Sequence, residues 1–510
     1  MRTIIALVLA LAAAPAIVGA EPPPLHPLSP AIVSRMDSLT AAAARYRGLA
    51  LQHPVTMGQV TPTELRERIQ ELVDRDMPAT VLSPIDRCLT DFGLLPGNYD
   101  LASDFPELLT SQVAGFYDPR QKILVLTDRP GGLLGPEVAK QFGPAIATRV
   151  EEMAIVHELT HAIQDQHFPL LGLIGGSHEP LADSLTGGSA LCEGDATLVM
   201  YSFLMGIAVE RLPMIGQALA GAASDPDRRS EMLTPFPGIP GADQLAGTPA
   251  YMRETLVFPY LQGFVFALAV RQAGGHKLLD YAFSQDPPSS SEQLMHPEKW
   301  TGQRDEPVVI QIDQAVTPLM QPGGPLAGYE ITARGSHGEL GVNLWLTERL
   351  GQDAWRRAQI ASQGWGGDAF VYLESKTGPG VIAWVTEWDS PSDADEFVSE
   401  VSQAAADWKV DRPSSTRVTL FRGAGTAAAE ALPAWLASAP AERRPGRTID
   451  LAALGIGPAD LPQPLTQEEM MQLLTSPLMQ AVGQGLGQGM GGAGAGGGGD
   501  GGAGDGTPAR

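Results

Sequence analysis

Apolar and polar positions change their spacing several times along this chain, and each change predicts a different element. Thr61-Pro62-Thr63-Glu64 reads as a capping box with proline at the first helical position. Leu65, Ile69 and Leu72 then fall on one apolar face, with Glu67, Arg68, Asp74 and Arg75 opposite. Residues 34–47 are alanine-rich and predict a second helix. Residues 31–100 are therefore expected to be a helical region, either a packed subdomain or a removable pro-segment. Near residue 113 the pattern turns to strands. Residues 113–126 predict a β-hairpin turning at Asp118-Pro119-Arg120-Gln121. Gly143-Pro144 next opens a helix that no glycine or proline interrupts before Pro169.

Residues 198–209 and 256–270 are almost wholly apolar. Both fall short of the roughly 20 residues that span a bilayer, so they predict buried helices. The loop-rich insert between them, 206–247, is a candidate lid or specificity element. Past residue 305 the texture is that of a small α+β domain. It has a strand at 308–312, helices at 339–350 and 352–362, and a hairpin pairing 370–374 with 381–388. Ser392 is expected to cap a helix through Asp407, and Gly364-Trp365-Gly366-Gly367-Asp368 to form a tight exposed loop. Glycine-rich sequence at 483–506 cannot bury enough apolar area to fold.

The chain of 510 residues carries a formal charge of −24, which disfavours nucleic acid and anionic membranes as partners. Arg2, an apolar core at 4–14 and the small residues Val18-Gly19-Ala20 predict a secretory signal peptide cut after Ala20. The mature protein is then secreted or periplasmic, with no stable membrane span. The resulting division is 1–20 signal peptide, 21–105 proline-rich linker and helical region, 106–304 catalytic domain, 305–445 C-terminal α+β domain and 446–510 glycine-rich tail. Cys88 and Cys192 could pair in an oxidising compartment or remain buried thiols.

Chemistry concentrates in Val156-His157-Glu158-Leu159-Thr160-His161. On a helix, His157 and His161 are one turn apart and project from one face. Two neutral imidazoles at that spacing can hold Zn²⁺, with Glu158 beside them to take a proton from an activated water. Glu193, in Leu191-Cys192-Glu193-Gly194-Asp195, follows His161 by 32 positions. Cys192 is a rival ligand, but adjacent helical residues point about 100° apart, so only one of the two can face the metal.

His-Glu-x-x-His followed on a later helix by Glu-Gly resembles the gluzincin metallopeptidases, the thermolysin and aminopeptidase-N group. That resemblance implies Glu193 as the third zinc ligand. Phe258-Pro259-Tyr260-Leu261-Gln262-Gly263 is similar to the aminopeptidase-N segment Pro-Tyr-x-Lys-Gly. It implies that Tyr260 donates a hydrogen bond to the tetrahedral intermediate, with Gln262 in place of the lysine. The three matches span about a fifth of the chain. The acid that thermolysin-like enzymes carry four positions after the glutamate ligand is Thr197 here, so the group orienting a ligand imidazole is sought in Asp165, Asp183 or Asp195. His167, His178 and Glu179 are expected to be solvent-exposed or capping, and His296 to be structural.

The expected fold is α+β: a mostly helical zincin-like metallopeptidase domain with a small sheet, plus a C-terminal α+β domain. The expected function is a zinc metallopeptidase acting on a peptide or protein substrate, with the 113–126 hairpin as a candidate edge for extended substrate. The segment that captures a free N-terminus in aminopeptidase-N relatives is missing, which favours an endopeptidase. The alternative is a catalytically silent zincin-fold protein for binding or envelope assembly.

Overall fold

The structure, a computed structural model, describes residues 24–112, 114–128, 143–175, 181–212, 221, 245 and 247–475. The signal peptide, His178-Glu179, most of the 206–247 insert and the glycine-rich tail lie outside these. The chain is α+β. Residues up to Pro462 form one compact unit. In the second unit, a capping box at Thr466 and Glu469 starts the helix Gln467–Leu474.

Helix α1 (Pro30–Arg47) precedes strand β1 (Thr56–Val60). Helices α2 (Pro62–Asp76), α3 (Ala79–Phe92) and α4 (Leu101–Gln112) follow. The expected capping box at Thr61 is formed, and Leu65, Ile69 and Leu72 are buried. Strands β2 (Gly115–Asp118) and β3 (Ile123–Thr127) make the expected hairpin, which β1 extends to a three-stranded sheet in the order β1–β3–β2. β1 runs parallel to β3, so the sheet crosses the boundary expected at residue 105.

Helix α5 (Pro144–His167) carries the two histidines. Its apolar residues face several ways, as in a buried helix. Ile155, Val156, Leu159 and Ile163 are buried with Leu39 of α1, Leu124 of β3 and Met200 of the later helix α7. After α6 (Leu170–Gly175) come the long helix α7 (Asp183–Met205) and the helical segment α8 (Ala250–Ser284), which is broken at Gly274-Gly275. The apolar run expected to stay helical to residue 209 ends at Met205, because Gly206 takes a left-handed conformation (φ 73°) and caps it.

Glycines set how closely α7 and α8 approach. A Cβ on Gly194 would lie 2.0 Å from the Gly263 carbonyl oxygen, and one on Gly263 would lie 2.2 Å from the Ala190 carbonyl oxygen. The helices therefore touch backbone to backbone at the turn that carries Glu193. This crossing also brings Tyr260 beside α5.

A short helix α9 (Ser291–Met295) leads into the C-terminal region. There β4 (Tyr329–Gly335), α10 (Gly338–Leu350), α11 (Trp355–Ser362), β5 (Trp365–Ser375), β6 (Val381–Trp388), α12 (Pro391–Ala404), β7 (Lys409–Asp411), β8 (Arg417–Arg422) and α13 (Thr426–Ala437) follow in order. The strands form one antiparallel sheet, β4–β5–β6–β8–β7. Alternate residues bury on opposite faces. Phe370 and Trp384 pack with Trp345 and Phe397, whereas Val371, Leu373 and Val385 pack with Leu432 and Leu436.

Three local expectations change here. Residues 365–368 are buried strand and not an exposed loop. The Asp368 carboxylate accepts hydrogen bonds from the N–H groups of His337 and Gly338 and from the indoles of Trp365 and Trp384, which draws the segment inside. The helix ending near Ala404 is capped by Ser390, not Ser392, because Pro391 takes the first helical position and Asp393 completes a capping box. The strand at 308–312 is only Val309–Ile310, since Ile312–Val316 turns helical.

Candidate metal centre

Helices α5 and α7 bring His157, His161 and Glu193 together, as the spacing and the resemblance implied. His157 Nε2 lies 3.1 Å from Glu193 Oε2 and 3.1 Å from His161 Nε2. His161 Nε2 is 3.5 Å from the same carboxylate oxygen. A tetrahedron drawn at zinc–ligand distances of about 2.0–2.1 Å has edges of about 3.3 Å. The three atoms thus have the spacing of one face of a zinc tetrahedron. His161 and Glu193 are fully buried, and His157 is 6% exposed, so any open side of the cluster is reached past His157.

Proton placement points the same way. Gln164 gives its amide N–H groups to the Cys192 carbonyl oxygen, at 3.0 Å, and to Asp195 Oδ2, at 2.8 Å. Its Oε1 must then accept from His161 Nδ1, 2.9 Å away. With the proton on Nδ1, His161 Nε2 presents a lone pair to the cluster. Three acceptor atoms converge there with at most the His157 Nε2 proton to share among them. Glu193 Oε1, also buried, has no hydrogen-bond partner among the described residues. A cation answers this donor set better than the chain's own hydrogen bonds do. Burial opposes ionisation of Glu193, yet the two imidazoles hold its carboxyl below the usual range.

Asp195 orients the site through Gln164. Its carboxylate also forms a buried ion pair with Arg47, Nε lying 2.6 Å from Oδ2, and Arg47 is fully buried with a second contact to Asp280 at 2.8 Å. Helix α1 therefore supplies the counter-charge behind His161. Sequence reasoning missed Gln164 and Arg47. The i+3 spacing from His161 was the available signal for Gln164, but Arg47 reaches the site across the fold. Of the other orienting candidates, Asp165 accepts from the Tyr117 phenol at 2.7 Å and Lys122 Nζ at 2.6 Å. Asp183 accepts from the Ser291 N–H. Neither has a hydrogen bond to a cluster imidazole.

Glu158 is 5% exposed and accepts a 3.0 Å hydrogen bond from the Tyr117 N–H of β2, an edge strand of its sheet. Burial, reinforced by the Glu193 carboxylate, pushes its carboxyl well above the usual range. That is the direction a proton acceptor working near neutrality requires. The Tyr260 ring stacks beside His157 with ring centres 6.0 Å apart. Gln262 donates to the Leu294 carbonyl oxygen, a structural contact. Cys192 and Cys88 are buried free thiols, and neither belongs to the cluster of His157, His161 and Glu193. His296 pairs with Glu339 at 3.0 Å, and His167 binds the Ala50 carbonyl.

Another trio of carboxylates, Glu292, Asp305 and Asp389, is already occupied. The Lys299 ammonium sits 2.5 to 3.0 Å from all three and supplies the cation they need.

A family described as a domain of unknown function (DUF8575) matches residues 329–433, which is the five-stranded sheet with its helices. The match does not reach His157, His161 or Glu193. Comparison with curated proteins and with solved structures gave no match.

Proposed function

We propose that this chain is a zinc-dependent metallopeptidase that cleaves interior peptide bonds, and that it works outside the cytoplasm. The observation that carries the reading is the triangle of His157 Nε2, His161 Nε2 and Glu193 Oε2, with the Glu158 carboxyl on the next residue of the same helix. Zincin-like is the finer fold description that this arrangement supports.

His157, His161 and Glu193 would hold Zn²⁺, which when bound acidifies water to a pKa of about 7 and polarises a carbonyl. The remaining work falls to the chain. Glu158 takes the proton from the attacking water and passes it to the leaving amine. Its hydrogen bond from the Tyr117 N–H fixes the carboxyl against the edge strand. Strand β2 offers backbone groups to an extended peptide, and this mode of binding needs no free terminus. Tyr260, packed beside His157, donates its phenol proton toward the developing oxyanion. Gln164, held by Asp195 and Arg47, keeps His161 in the tautomer that leaves Nε2 free.

Hydrolysis of unfolded casein, with and without chelator, tests the reading. Cleavage that stops on chelation and returns with Zn²⁺ supports it. A zinc-loaded protein that leaves casein and a peptide library intact would overturn it and favour a binding role.

A further inference from the structure

The Tyr117 N–H gives the Glu158 carboxyl the one hydrogen bond it receives among the described residues, so whatever places Tyr117 places Glu158. Tyr117 is held at a second point. Its phenol donates to Asp165 Oδ2 at 2.7 Å, and Asp165 lies about two turns beyond Glu158 on the same face of α5. Burial, then the Asp165 carboxylate, pushes the pKa of the phenol up, so it keeps its proton and remains the donor. One residue of β2 thus spans two turns of the helix, with its backbone at one end and its side chain at the other.

Lys122 completes the arrangement. Residues 119–122 are the turn of the hairpin. Lys122, the last of them, takes a left-handed conformation (φ 58°), and no other residue except glycine does so among the described residues. A side chain crowds the backbone in that region, and glycine adopts it freely. The turn itself does not use the lysine side chain. The Asp118 carboxylate accepts from the N–H groups of Arg120 and Gln121, and the Lys122 N–H donates to the Asp118 carbonyl oxygen. What the lysine adds is its ammonium, 2.6 Å from the same Asp165 oxygen that receives the Tyr117 phenol.

Stability does not account for a lysine at this strained position. Its side chain is 58% exposed, and an ion pair whose cation stands in water adds little to folding. The Asp165 side chain is 3% exposed, so the pair acts on a carboxylate that has little water to turn toward. The contact fixes a direction: it holds Asp165 Oδ2 where the Tyr117 phenol meets it.

We propose that Lys122, Asp165 and Tyr117 are positioning residues for Glu158. Lys122 holds the Asp165 carboxylate, Asp165 holds the Tyr117 phenol, and the Tyr117 N–H holds the Glu158 carboxyl at the metal centre. The consequence for catalysis rests on the peptidase reading, whereas the anchor itself rests on the hydrogen bonds alone. His157, His161 and Glu193 lie outside the anchor, so loosening it leaves the metal ligands in place.

Lys122→Gly in the full chain separates positioning from packing. It removes the ammonium and also relieves the backbone, so urea unfolding should find it at least as stable as the wild type. Its zinc content should be unchanged. Displacing a reacting group by about 1 Å costs up to about 10²-fold in rate, so kcat for casein hydrolysis should fall about three- to tenfold with little change in KM. Tyr117→Phe should lower kcat about tenfold, and Lys122→Arg, which keeps the cation, should recover most of the rate that Lys122→Gly loses. Hydrogen exchange at the Tyr117 amide, read by mass spectrometry of peptic fragments, should quicken about tenfold in Lys122→Gly and Tyr117→Phe. Unchanged exchange at Tyr117, an unchanged kcat in both variants, or a fall in kcat matched by lost stability in Lys122→Gly would each overturn the proposal. A wild type that leaves casein intact would overturn the peptidase reading instead, and the exchange rates would then decide the anchor by themselves.

Discussion

Gly194 and Gly263 face each other across the α7–α8 contact, with room for a hydrogen and nothing larger. A methyl group at Gly194 would meet the Gly263 carbonyl oxygen at 2.0 Å, and backbone in two packed helices cannot yield as a side chain does. Glu193 and Tyr260 owe their positions to this contact. Gly194→Ala should therefore destabilise the protein by about 3 kcal/mol or more and weaken zinc binding. Gly172→Ala is the control, since a Cβ there meets nothing nearer than Pro169 at 3.9 Å. Chemical unfolding of the two variants checks the contrast.

The Gln164 amide joins His161 to Asp195 and Arg47. Gln164→Leu should keep the volume and lose the tautomer control. Zinc affinity should fall about 10- to 100-fold, the usual loss when the group behind a ligand histidine is removed. Competition with a chromophoric chelator measures it. Unchanged affinity would mean that His161 needs no orienting partner.

Much of this centre was legible in the sequence. The i,i+4 spacing placed both imidazoles on one helical face, and Glu193 came through the resemblance of Glu-Gly on the following helix. The glycine that seemed only part of that motif has its own physical role, the close approach to Gly263. Arg47 was not legible, because a buried ion pair between α1 and α7 leaves no periodic trace. Likewise, residues 365–368 look like an exposed loop from their glycines. They are buried because Asp368 is enclosed by N–H donors from β4–α10, β5 and β6 that only the fold assembles. The hairpin was readable from its turn, whereas the parallel β1–β3 pairing was not, since a strand partner 67 residues away carries no local signal.

Tyr260 tests the second half of the resemblance. Tyr260→Phe removes only the phenolic oxygen and keeps the ring beside His157. The expected outcome is a fall in kcat of about 10²–10³ with little change in KM and full zinc content. A variant that loses zinc or fails to fold would make Tyr260 a packing residue.

Asp183 gives a pH prediction independent of catalysis. Burial raises its carboxyl to about 8, against about 3.9 in an unfolded chain. Between those values the folded chain keeps a proton that the unfolded chain has lost. Its contribution to stability is complete below about pH 4 and declines as pH rises toward 8. Asp183→Asn mimics the neutral acid and does not titrate. From pH 5 to 7 the variant should gain on the wild type by about 1.4 kcal/mol per pH unit, and the gain should level off above pH 8. Urea unfolding at several pH values reads this directly, and a gap that does not change with pH would contradict it.

The most direct test is the zinc content of the purified chain and four of its variants, each paired with casein hydrolysis. Wild type should carry one zinc per chain. His157→Ala and Glu193→Ala should carry none and be inactive, while Cys192→Ala should keep both metal and activity. Glu158→Gln should keep its zinc and lose about 10²–10⁴ in rate. Zinc retained by Glu193→Ala but lost by Cys192→Ala, or full activity in Glu158→Gln, would contradict the account.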